Sequence, residues 1–134
     1  MNSIFKWWAE KQKKGLAEAH FNLGFAYATG HLVERDIVEA IKWYRKAAEL
    51  GHAGAQCNLG MLYLTDEKFH KDSEPIFWLR QAADQGYTDA AYNIGNACRL
   101  GLIGDDTSGA IKWFRNAAEQ GLRWTPEFGP AVKL

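Results

Sequence analysis

The stretch IKWYRKAAELG at Ile41–Gly51 returns as IFWLRQAADQG at Ile76–Gly86 and again as IKWFRNAAEQG at Ile111–Gly121. The tryptophans Trp43, Trp78 and Trp113 stand 35 residues apart at each step. A fixed period of this length marks a repeat architecture, in which one supersecondary unit recurs and each copy buries its apolar face against its neighbours. The sequence between these copies repeats as well. AEAHFNLGFAYATG (Ala17–Gly30) is echoed by GAQCNLGMLYLT (Gly54–Thr65) and by DAAYNIGNACRLG (Asp89–Gly101), with Ala19, Ala55 and Ala90 in register and Asn22, Asn58 and Asn93 likewise. Each unit therefore holds two segments, each about one helix long.

Both segments carry a helical period. From Asp36, DIVEAIKWYRKAAELG sets Ile37, Ala40, Ile41, Tyr44, Ala47 and Ala48 along one stripe. Asp36 suits an N-cap and Gly51 the left-handed residue that ends a helix; Ser73 with Gly86, and Asp106 with Gly121, bracket the other two copies. In the companion segment Ala19, Leu23, Ala26 and Tyr27 share a face, while Gly24 leaves room for a neighbouring helix to approach. The prediction is an all-α chain of antiparallel helix pairs stacked as an α-solenoid, about seven helices in a single domain. IFKWWAEKQKKG (Ile4–Gly15) aligns with the second segment through Trp7 and Gly15, so residues 1–15 are expected to form a lone capping helix ahead of repeats at 17–51, 53–86 and 88–121. Pro126 and Pro130 block a further helix of the usual kind. Residues 122–134 then make a tail or cap in which Trp124, Phe128 and Val132 offer apolar contact. The recurring Trp43, Trp78 and Trp113 are assigned to the core.

Composition narrows the function classes. With 47% hydrophobic and 13% aromatic residues the chain has the material for a packed core, and sixteen basic residues balance sixteen acidic ones. No net field draws it to nucleic acid or to an anionic membrane. The longest uncharged stretch, Leu50–Thr65, contains three glycines, Gln56 and Asn58 and is unsuited to span a bilayer. MNSIFKWWAEKQKKG lacks the basic start, apolar run and small-residue cleavage site of a secretory signal, and the chain reads as cytoplasmic. Cys57 and Cys98 make no disulfide framework. His20, His31, His52 and His70 fall in separate units without metal-ligand spacing, neither thiol has an evident base beside it, and no cofactor or catalytic residue is assigned.

The recurring pattern Ala-x-x-x-Leu-Gly-x-x-Tyr, a loop with Gly, then Ala-x-x-Trp-x-x-x-Ala-Ala-x-x-Gly resembles the Sel-one-like repeat (SLR) family, a relative of the tetratricopeptide repeat. The resemblance covers nearly all of Ile4–Gly121. Cys98 departs from it where Tyr27 and Tyr63 stand, Pro75 where Ala40 and Ala110 stand, and Asp66 where Gly30 stands, so the loop DEKFHKDSE is expected to have a shape of its own. The resemblance implies a right-handed superhelix, often bacterial, that acts as a protein-interaction scaffold, with first helices lining a concave groove. In that register the groove takes Glu18, Phe21, Asn22, Phe25 and Thr29 from the first repeat. The second contributes Cys57, Asn58, Met61 and Leu64, and the third Asp89, Tyr92, Asn93, Asn96 and Arg99. The apolar members have two readings, partner contact or packing between adjacent first helices. The three Asn either bond an extended peptide backbone or tie helices together.

The function read from these features is a non-catalytic adaptor whose groove binds a helix or peptide of another protein, one version being an immunity or inhibitor protein for a bacterial toxin. A self-associating structural module is the alternative. The enzymatic alternative, β-lactam binding or hydrolysis as in cysteine-rich SLR relatives, lacks the paired cysteines those relatives carry. Partner identity and oligomeric state stay open at this level.

Overall fold

In the computed structural model, residues 3–66, 75–101, 107–119, 122–125 and 129–133 are described. They form α1 (Ser3–Thr29), α2 (Ile37–Glu49), α3 (Ala53–Thr65), α4 (Pro75–Asp84), α5 (Thr88–Arg99) and α6 (Thr107–Glu119), followed by strands β1 (Leu122–Thr125) and β2 (Gly129–Lys133). The chain divides into two compact units, Met1–Leu59 and Gly60–Leu134.

The first unit is built on the pairing of α1 with α2. Asp36 caps α2 as the sequence indicated: its side chain accepts a hydrogen bond from the Glu39 amide at 3.2 Å, satisfying one of the donors that a helix start leaves open. Gly51 ends the helix with φ +92°, a conformation that costs a residue with a Cβ. The stripe read from the period is the buried one, since Ala40, Ile41, Tyr44, Ala47 and Ala48 are all in the core. Against it α1 presents Ala17 and Gly24. A Cβ on Gly24 would lie 2.5 Å from the Tyr44 ring, so glycine here is what lets the two helices close.

Two features of α1 set it apart from the other helices. The helix runs through Gly15 without a break, nothing lies within 4 Å of that residue's Cβ position, and the described residues hold six helices, near the seven expected. The face carrying Ala19 and Leu23 is exposed, although the matching Ala55 and Leu59 of α3 are completely buried. The reason is the straight helix: a segment that continues along its own axis has no way to fold back over its own side.

In the second unit α4 packs on α5 and α5 on α6. Leu79 of α4 and Ile94 of α5 are completely buried, and Ala82, Ala83, Ala90, Ala91 and Ala97 are buried on the same two helices, small side chains that let helix axes approach. Gly86 ends α4 at φ +84°, as the period required. Ser73, Asp106, Gly121 and the loop at 67–74 lie outside the described residues, as do Pro126 and Phe128. Beyond α6 the chain makes an antiparallel hairpin, with Leu122 paired to Lys133, Arg123 to Val132, Trp124 to Pro130 and Thr125 to Gly129, and an irregularity between Arg123 and Trp124. β1 runs against α6, and β2 reaches α5.

The tryptophans sit less deeply than their periodicity indicated. Trp43, Trp78 and Trp113 are each partly exposed. Trp43 Nε1 donates to Glu39 Oε2 at 3.2 Å, and the Lys42 and Lys46 ammonium groups lie 5.6 and 4.6 Å from its ring centroid. An indole has a polar N–H that needs a partner, and the rim of a helix pair lets it find one while the ring still covers apolar surface.

Candidate functional site

The faces of the first helix of each repeat were expected to form the binding surface, and their side chains take three different roles. The first role is structural and centres on His52. This residue precedes α3, and its Nδ1 accepts the Ala55 amide at 3.0 Å, an N-cap made by imidazole instead of the usual short polar side chain. The neutral ring therefore carries its proton on Nε2, which donates to Glu18 Oε1 at 3.0 Å. Phe21 stacks on the same ring, 4.5 Å between centroids and 19° between planes, and leans on Tyr44 at 5.7 Å. Glu18 and Phe21 thus join α1 to the start of α3, and a hollow of about 210 Å³ lined by Glu10, Lys13, Lys14, Glu18 and Leu50 opens beside them. The sequence reading weighed His52 only as a metal ligand, because imidazole is not a standard cap. Its place directly after the helix-ending Gly51 was the signal. His52→Ala is expected to lower stability by about 0.5–2 kcal/mol, and His52→Asn by less, because Asn keeps an acceptor for the Ala55 amide. Urea titrations of the two variants check this; equal losses would show that capping is not what His52 contributes.

The second role is core packing. Cys57, Leu64 and Tyr92, all assigned to the groove, are buried, and Tyr92 lies with its ring 5.6 Å from Phe114. With 3–5% of their surface accessible, these three have little to offer a partner in this conformation. Met61 and Asn93 are partly buried. Asn58 Nδ2 donates to the Tyr44 hydroxyl at 3.4 Å, which turns this member of the Asn series toward the neighbouring helix. Burial raises the Tyr44 pKa from 10.0, and this bond opposes the rise.

The third role is open surface. Phe25 is 48% exposed, Asn22 and Thr29 are exposed on the same helix, and Thr29 Oγ1 bonds the Phe25 carbonyl at 2.8 Å. In the second unit Arg99 donates from Nε and Nη2 to Asn96 Oδ1, at 3.2 and 2.7 Å, which holds the guanidinium in one orientation at the exposed end of α5. Asp89 is exposed at the other end. Both thiols are recessed, Cys57 fully and Cys98 in part. His20 rests against Trp43, 5.3 Å between centroids.

Comparison with known proteins agrees with this architecture. A family model of the Sel1 repeat matches residues 17–52, 53–87 and 88–122. The chain is similar to the crystal structure of a Sel1 repeat protein from Oxalobacter formigenes, with 34% identity and a TM-score of 0.67 over 87% of this chain and 49% of that one. It is also similar to a protective antigen of uropathogenic Escherichia coli strains displaying an SLR fold, with 33% identity and a TM-score of 0.68 over 87% of this chain and 26% of that one. The chain thus spans about half the length of the first relative and about a quarter of the second. No curated protein matches the sequence. With three consecutive matches to one repeat and the helix pairs in their expected order, the chain belongs to the Sel1 repeat family and has its α-solenoid fold.

Proposed function

We propose that the chain is a non-catalytic interaction module that binds a helix or peptide of another protein on the open faces of its first-type helices. Sel1 repeats generally mediate protein–protein interaction, which supports the class. The observation that carries the surface is Phe25: a large aromatic ring left half in water beside Asn22, one residue on from the Gly24 that meets α2. An aromatic anchor with a polar surround is the composition of a binding hot spot. Glu18 and Asn22 in the first unit, and Asn96 and Arg99 in the second, provide the hydrogen-bonding groups. Among the described residues no helix is long and apolar enough to cross a membrane. The finer reading is a cytoplasmic bacterial module, with an inhibitor that masks a toxin's active surface as the version to test first; both solved relatives come from bacteria.

The test uses the intact chain as bait, beside Phe25→Glu. Phe25 is exposed, so the variant is expected to keep its helical content and melting temperature. A carboxylate that a partner must desolvate should weaken capture of a partner bound by the parent, at least about tenfold. Equal capture by the two baits would remove Phe25 from the binding surface.

A further inference from the structure

The face of α1 that turns away from α2 bears one apolar stripe, and its two halves are complementary to each other. Phe5, Trp8, Gln12, Leu16, Ala19 and Leu23 follow one another at steps of three and four residues, which puts them on one side of a continuous helix. Phe5 is 68% exposed, Trp8 54%, Leu16 51% and Leu23 40%. Single exposed apolar residues are ordinary. A run of them along about 27 Å of helix is the mark of an interface.

What covers such a stripe can be read from the same molecule. A shift of 36 residues carries Trp7 onto Trp43 and Gly15 onto Gly51. It also lays Ile4, Phe5 and Trp8 on Ala40, Ile41 and Tyr44, and Ala19 and Leu23 on Ala55 and Leu59. Those five counterparts in α2 and α3 are at most 8% exposed. There the chain turns back at Gly51, and the Gln56 side chain donates to the Ala48 carbonyl at 3.1 Å, joining the end of α2 to the start of α3. In α1 the same two faces lie end to end on a straight helix, so neither can reach the other within one molecule.

We propose that a second copy of this chain covers the stripe, the two α1 helices pairing antiparallel about a two-fold axis near Leu16. The segment before Gly15 in each copy takes the place on its partner's Ala19–Leu23 face that a folded-back hairpin would have filled, which is the geometry of an exchanged element. Taking Ala48 and Gln56 as the guide to register, Gln12 falls level with position 20, next to Ala19 of the stripe, Trp8 level with position 24, next to Leu23 of the stripe, and Leu16 opposite itself. Charge selects the direction. Lys6, Lys11, Lys13 and Lys14 outnumber Glu10 in the first half of α1, whereas the half from Leu16 to Thr29 has Glu18 and no Lys or Arg. Parallel pairing would stack the basic halves on each other; antiparallel pairing sets each against the half that bears Glu18. The inference is independent of the groove reading, because Phe25 stands on a different side of α1 from Leu23.

Sedimentation of the intact chain at several concentrations tests it, with the variants Trp8→Glu and Leu23→Glu beside the parent. The parent is expected to dimerise reversibly, and each variant to raise the dimer dissociation constant at least about tenfold. Both residues are exposed in the single chain, so helical content should be unchanged. Under mild oxidation Leu16→Cys is expected to cross-link to its own counterpart and Phe5→Cys not to. In the antiparallel pair the two Phe5 positions stand about 33 Å apart, beyond the Cα separation of about 7 Å that a disulfide spans; the parent controls for Cys57 and Cys98. A chain that stays monomeric, as a fold-back at Gly15 would make it, overturns the proposal. So does a dimer indifferent to both Glu variants, and so does cross-linking through Phe5 in preference to Leu16.

Discussion

Leu79→Ala is expected to lower the free energy of unfolding by about 2–5 kcal/mol, the largest effect of any single truncation considered. Leu79 has no exposed surface, and its helix, α4, is short, with ten residues. It follows Trp78, the residue that the repeat makes most conspicuous, yet Trp78 is partly exposed and Leu79 is sealed. Truncation removes the transfer free energy of the side chain and leaves a void that a close-packed interior fills only in part. Urea denaturation followed by circular dichroism reads the loss directly. A midpoint shift worth less than about 1 kcal/mol would place Leu79 outside the core. Combined with Ile94→Ala on the adjoining α5, the losses should depart from additivity, since two helices in contact share one packed interior.

Gly24→Ala is expected to destabilise by about 1–3 kcal/mol, against the usual sign of such a change. In a helix interior, alanine for glycine ordinarily stabilises by about 0.5–1 kcal/mol, because the unfolded chain loses freedom. Here the added Cβ would stand 2.5–2.9 Å from Cδ1, Cε1 and Cγ of Tyr44. The ring has no room to withdraw: Tyr44 is buried and its hydroxyl is held by Asn58. Either the helices separate along α1 and α2, or the ring leaves its rotamer, and both erode the contact on which the first unit rests. In a Tyr44→Leu background, where the ring is gone, the same Gly24→Ala change should cost little or stabilise. A penalty of equal size in both backgrounds would falsify the assignment of the clash to Tyr44.

Much of this molecule was legible before any coordinates. The stripe Ala40, Ile41, Tyr44, Ala47 and Ala48, the cap at Asp36, the left-handed glycines Gly51 and Gly86, and the close approach at Gly24 all stand where the spacing put them. Each is a local matter: a helical face, an N-terminal donor or a positive φ is specified by residues within a turn or two of one another. The candidate surface was read less well. Phe25 and Asn22 are open, but Cys57, Leu64 and Tyr92 are sealed, because neighbouring positions on a solenoid helix differ only in which adjoining helix overhangs them. The cap at His52 is local, made to the Ala55 amide by an uncommon capping side chain, whereas its contacts with Glu18 and Phe21 join residues more than thirty positions apart and come only with folding.

The period, the helical segments of each repeat and the family are written in the order of residue types along the chain. How deep each recurring residue lies depends on the folded neighbours around it. Trp43, Trp78 and Trp113 are alike in register but lodge at the rim, where an indole N–H can find Glu39 or water, while the plainer Leu79 and Ile94 take the sealed positions. The course of the chain at Gly15 likewise belongs to the fold. Glycine permits a left-handed turn, as at Gly51, and equally permits a helix to continue, as in α1; the residue is the same and the outcome belongs to what packs around it. Burial depends on neighbours that the chain brings together only by folding. Ala19 and Leu23 are therefore open on α1, whereas Ala55 and Leu59, written in the same pattern, are completely buried.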